Sequence, residues 1–220
     1  MDSDAGMEKL PRGRHGLSPE FVARNQRQRL ISGLTQGLYE VGYQKTTVSL
    51  IGQRAAVSKS DFYKHFESKD DCFIAAYDAA IERIRGQLTA ACDEVDDQEW
   101  PQYMSRAIEA LLKLFAAEPA LASIALVEGL RAGRGVYDRY QVAIESFVGL
   151  MKRTEPPRAE GTEVPEATDE AIVGGIAAML GRRVLAGETE QLTELFPEIL
   201  EFVLGAYLGA EEARRIVSAG

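Results

Sequence analysis

The residues able to do chemistry concentrate between Thr46 and Lys69, in the stretch TTVSLIGQRAAVSKSDFYKHFESK. There Lys59, Ser60, Tyr63 and Lys64 recur at helical spacing and form one short polar face with two cations and a phenol. Such a face suits the major groove of duplex DNA, where a recognition helix offers its N-terminal residues to base edges. Val57, Phe62 and Phe66 fall on the opposite side, where they would meet Val48, Ile51 and Ala55 of a preceding short helix. Two short helices across a turn of three to four residues have the helix-turn-helix spacing. Catalysis would need a nucleophile with its base, paired carboxylates or a phosphate loop. The chain has none of these and no GxSxG, HExxH or Walker sequence, so it is not expected to be an enzyme.

The elements that hold this stretch are legible from caps and periodicity. Ser18-Pro19-Glu20 opens a first helix with an N-cap, a proline at the first helical position and an acid in the first turn. Leu30, Leu34, Leu38 and Val41 line its buried face, Gly42 ends it, and Arg24, Arg27 and Arg29 are read on its outer surfaces. Thr47 caps the second helix and Ser58 the third, where Asp61 completes a capping box. Asp61 is read first as a capping acid, with acceptance from a cytosine amine as the alternative. Ser68 caps a fourth helix that carries Phe73, Tyr77, Ile81, Ile84 and Leu88 as an apolar stripe. Further helices follow, the sixth from Pro119 to Arg131 and the ninth over Gln191–Tyr207, which Pro197 would kink or split. No stretch alternates with period two, so the expected fold is all-α with nine to ten helices.

The net charge of −9 is poor for a DNA binder, but its distribution matters more. Residues 1–66 hold 10 Lys and Arg against 6 Asp and Glu, while residues 67–220 hold 15 against 28. That asymmetry fits one end that meets a polyanion and a body that does not, although chance clustering weighs about equally. The tail, residues 1–17, reads as flexible, with Lys9, Arg12 and Arg14 giving non-specific attraction and entry into a minor groove as the alternative. Neither a secretory signal nor a run of about 18 apolar residues is present, which places the expected protein in the cytoplasm. Cys72 and Cys92 lie in one helix, so at about 1.5 Å per residue they stand roughly 30 Å apart, too far for a disulfide. With only His15 and His65 besides, no metal cluster and no cofactor is expected.

The segment AAVSKSDFYKHFESKDDCF resembles the signature of the tetracycline-repressor (TetR) family, and the long helix before it and TTVSLIGQRA fit the same pattern. The resemblance implies a three-helix DNA-binding domain (residues 18–67) joined to a larger helical domain (residues 68–220) that dimerises and binds a small molecule. It implies a repressor released from a palindromic operator by an unidentified effector. An activator, a ligand-independent regulator and a structural dimer without DNA binding stand as alternatives. Tyr63 and Lys64 are then the foremost DNA contacts, followed by Ser58, Lys59, Ser60 and Lys69. Thr47 is read equally as a phosphate contact and as a plain cap. His65 is expected to pack or to meet a phosphate. Where the family has glycine in the turn, this chain has Ala56, which a left-handed backbone would strain by roughly 1 kcal/mol.

The resemblance also covers Thr168–Arg215, where the last two long helices would form a four-helix bundle with a second copy. Ile172, Gly175, Ile176 and Met179 are expected to meet Leu195, Ile199, Phe202 and Val203 across the two-fold axis, with Gly174 and Ala178 allowing close approach. An intramolecular core is the alternative for these residues. An effector pocket is expected among helices four to seven, with Tyr77, Trp100, Tyr103, Phe115 and Phe147 as candidates. Aromatic residues at helical spacing are more often plain core.

Overall fold

The computed structural model describes residues 18–93, 99–129, 134–157 and 164–219. The tail cations, the acidic run after Asp93 and the middle of the proline-rich connection lie outside these residues. Among the described residues every regular element is helical, and the chain divides into two compact units, up to Asp78 and from Ala79. The expected domain boundary at residue 67 falls at the start of a helix, whereas the units divide ten residues into it.

The first unit begins with α1 (Pro19–Lys45), capped by the Ser18 hydroxyl, which accepts from the Phe21 amide at 3.2 Å. Gly42, at φ 74°, breaks the helix where the sequence places its end, and Thr46 then ties back by donating from Oγ1 to the Gly42 carbonyl at 2.9 Å. Two short helices follow, α2 (Val48–Ala55) and α3 (Lys59–His65). Leu30, Leu34, Leu38, Ile51, Phe62 and Phe66 form the core between these three helices and are all but fully buried. The close fit of α1 on α2 explains Gly33: a Cβ there would sit 3.0 Å from the Ile51 carbonyl oxygen.

Helix α4 (Lys69–Asp93) starts behind Ser68, whose hydroxyl accepts from the Asp71 amide at 3.0 Å. Its first turn is fastened to the end of α1. Lys69 Nζ donates to the Tyr43 carbonyl at 2.9 Å and lies 3.8 Å from the ring centre, and the Tyr43 hydroxyl donates to Asp70. Phe73 meets the same ring edge-on at 5.5 Å. Cys72 and Cys92 are both on α4, buried and free, and burial pushes the Cys72 thiol up to about 12.

In the second unit α5 (Trp100–Ala117) leads into α6 (Pro119–Ser123), which continues through a π turn over Ile124–Glu128. The sequence gives no sign of that turn, where the Gly129 amide reaches back five residues to the Ile124 carbonyl. Helices α7 (Arg134–Met151) and α8 (Thr168–Leu185) pack on each other. A 3-10 turn (Thr189–Leu195) precedes α9 (Phe196–Leu208), so the helix expected from Gln191 is two elements. Pro197 stands in the first turn of α9, where its missing amide hydrogen leaves no bond unmade. The last helix, α10 (Ala210–Ala219), packs on α9. Trp100 anchors this unit: its ring meets Tyr207 at 4.8 Å and its Nε1 donates to the Met151 carbonyl at 3.2 Å.

Candidate nucleic-acid interface

Helix α3 has two sides of opposite character. Phe62 is fully buried, and Phe66 beyond its end is 2% exposed, against α1 and α2. Lys59, Ser60, Tyr63 and Lys64 face solvent together, and Tyr63 is 52% exposed although its ring meets Phe62 edge-on at 5.3 Å.

Ser58 caps α3 by accepting from the Asp61 amide at 3.0 Å, and its hydroxyl donates to Asp61 Oδ2 at 2.7 Å. Asp61 Oδ1 accepts from Lys64 Nζ at 2.7 Å. The nearby ammonium, then the Ser58 hydroxyl, holds the carboxyl below the ordinary aspartate range. Asp61 thus returns to the cap through the Ser58 hydroxyl, rather than through the Ser58 amide that a capping box uses, while also engaging a cation of the polar face. Thr47 caps α2 by accepting from the Leu50 amide at 3.2 Å, and its residue remains exposed.

The turn between α2 and α3 is built tightly. Ala56 adopts φ 48°, ψ 45°, the left-handed conformation that its alanine strains. Its amide donates to Gln53 at 3.3 Å and that of Val57 to Gly52 at 2.9 Å, the paired bonds of a Schellman ending. Only glycine fits at 52, because a Cβ would stand 2.7 Å from the Val57 oxygen.

Helix α1 braces this arrangement with polar residues whose roles the sequence reading missed. Arg29, read as an outer-surface residue, is half-buried, and its guanidinium donates to the carbonyls of Ala55 and, at 3.0 Å, of Ala56. Arg27 lies over the Phe66 ring at 4.9 Å, and Gln26 Oε1 is 3.1 Å from His65 Nε2. Burial, ahead of the opposing pull of Asp61, keeps the His65 imidazole below its usual range. Lys69, read as a phosphate contact, spends its ammonium on Tyr43.

Residues 30–76 match the family model for bacterial regulatory proteins of the tetR family. Uncharacterised HTH-type transcriptional regulators of Mycobacterium tuberculosis and Mycobacterium bovis are 25% identical over 206 residues, 89% of this chain and 89% of each relative. The match runs from the middle of α1 through α2 and α3 into the first turns of α4. Helices α2 and α3 lie inside the matched residues and are similar to that family's helix-turn-helix. Solved structures share this chain's fold at low identity. The fatty acid degradation regulator FadR of Bacillus halodurans superposes with a TM-score of 0.70 at 18% identity, covering 87% of this chain and 97% of that one. FadR of Bacillus subtilis, solved with stearoyl-CoA, gives 0.67 at 16% identity, covering 81% of this chain and 98% of that one.

Tyr77 is buried in the first unit, and Trp100, Tyr103 and Phe115 are buried in the second, where the Tyr103 hydroxyl donates to the Leu150 carbonyl at 3.0 Å. Phe147 is half-buried. Trp100 also borders an open cleft of about 980 Å³ with Phe196, Leu200, Arg106 and Arg215. Of the eight expected interface residues, Ile172, Leu195, Ile199 and Val203 are at most 7% exposed within their own chain, the burial expected of the intramolecular-core alternative. Tertiary packing took them because they face the interior of the unit rather than its surface. Gly175, Ile176 and Met179 are half-buried, and Phe202 is 45% exposed with its ring against Gly175.

Proposed function

We propose that this regulator is a homodimeric repressor that reads a palindromic operator with Lys59, Ser60, Tyr63 and Lys64, and leaves it when a small molecule binds the second unit. The exposed cationic and phenolic face of α3, set on a helix whose other side is buried, carries the reading. Thr47 would add its hydroxyl, and the first turns of α2 and α3 their free amides, toward phosphates, while Ser58 would reach one only by leaving Asp61. Lys69 would reach a phosphate only by exchanging its present partner. His65, held neutral and against Gln26, serves packing more than charge.

Dimerisation is supported by apolar surface left on the second unit. Leu185 is 57% exposed, and Phe202 is 45% exposed with its ring against Gly175 of α8. A two-fold pair would place recognition helices about 34 Å apart, or somewhat more, on a symmetric site. The fold shared with a regulator solved with stearoyl-CoA makes a long-chain acyl thioester the first effector to try.

Selection of bound sequences from random duplex DNA tests the proposal. The wild-type protein should enrich one inverted repeat. Tyr63→Ala should retain its melting temperature and lose the enrichment, while Lys64→Ala should weaken binding to all duplexes and lower the salt slope by about 1. Failure of the wild-type protein to enrich any sequence, or an unchanged pattern with Tyr63→Ala, would overturn it.

A further inference from the structure

We infer that Arg29 is a positioning residue for DNA recognition: its guanidinium clamps the carbonyls of a left-handed alanine turn and so fixes the angle at which α3 leaves α2. The inference rests on the proposed reading of DNA by α3, but the clamp itself does not.

Ala56 is the only non-glycine residue with positive φ among the described residues. An alanine stays in that conformation only where its surroundings over-determine it. The Schellman bonds to Gly52 and Gln53 satisfy two carbonyls at the end of α2. Those of Ala55 and Ala56 remain, at the negative end of the helix. The Arg29 guanidinium takes both with the same nitrogen, from a residue 26 and 27 positions away. It is therefore a tertiary contact, held on α1 four residues before the close approach of Gly33 to Ile51 and Ala55. Two residues after Ala56, Ser58 starts the recognition helix, so any drift of the turn swings Tyr63 and Lys64.

This pairing makes a prediction that a mere surface cation would not. Glycine at position 56 needs no external constraint, so it should relieve the need for the clamp. The proteins to compare are wild type, Arg29→Met, Ala56→Gly and the double variant, all full-length. Methionine keeps an apolar stem and removes the donors. Two readouts are taken: hydrogen exchange at the amides of residues 56–62, and the ratio of selected-operator to random-duplex affinity at fixed salt.

Arg29→Met should speed exchange in that segment and lower the affinity ratio about tenfold, as loss of a well-aligned base contact would. The double variant should recover most of both. A double variant no better than Arg29→Met, or an Arg29→Met protein indistinguishable from wild type, overturns the inference. Should Arg29→Met fail to fold, Arg29→Lys replaces it, with partial loss and the same rescue expected. Exchange that behaves as described, in a wild-type protein that prefers no duplex, would leave the clamp standing and sink the reading of α3.

Discussion

Asp61 accepts from Ser58 and Lys64 in the same carboxylate, so one acid both ends a helix and restrains a cation on the face proposed to meet DNA. The pair with Lys64 is exposed, and pairs of that kind contribute little to stability. Asp61→Asn should therefore leave the melting temperature nearly unchanged. It should release Lys64 from its competing partner and remove a negative charge, giving tighter binding to random duplex at an unchanged number of phosphate contacts, read by fluorescence anisotropy across a salt series. His65 carries a pH dependence of opposite origin. Its proton affinity is lowered in the fold by burial, so the unfolded chain takes the proton first as pH falls through the ordinary imidazole range. Stability should thus be full above that range and decline below it. His65→Gln should flatten this part of the melting-temperature profile between about pH 7 and pH 5.5.

At the scale of elements, the turn between α2 and α3 is held in a conformation its own residue disfavours. Ala56→Gly should stabilise the protein by about 1 kcal/mol, measured as a higher thermal midpoint, because the relief of strain exceeds the added freedom of the unfolded chain. Caps were the most readable features. Ser18, Thr47, Ser58 and Ser68 all accept from the expected amides, since a cap depends on neighbours three residues away and little else. The long helices among the described residues followed from apolar spacing for the same local reason. What sequence could not supply was long-range choice. Arg29 and Lys69 found carbonyl partners more than 20 residues away, and no local pattern distinguishes such a cation from one aimed at phosphate. Half of the expected dimer contacts became core because apolar periodicity gives a stripe but not what covers it. The 3-10 turn before Pro197 and the π turn after Ser123 were also missed, because both depart from the period on which the reading relied.

For the whole molecule, the apolar surface that remains divides packing from association. Ile199 is fully buried while Phe202, on the same helix, is 45% exposed. Ile199→Ala should lower stability by about 2–5 kcal/mol in denaturant titrations. Phe202→Glu should leave the fold intact and shift the protein from dimer to monomer, followed by light scattering on a sizing column. A Phe202→Glu protein that keeps the wild-type mass would exclude this face as the interface. The π turn over Ile124–Glu128 bears on how such a chain changes length. A loop of five residues in place of four is what one codon added inside an existing helix would leave, with the flanking turns kept in phase. Removing a single codon from this spot should let the helix heal into ordinary winding. The same deletion in the middle of α5 would rotate everything downstream by about 100°. This short stretch is therefore where descendants of the chain should be able to shorten by one residue without refolding.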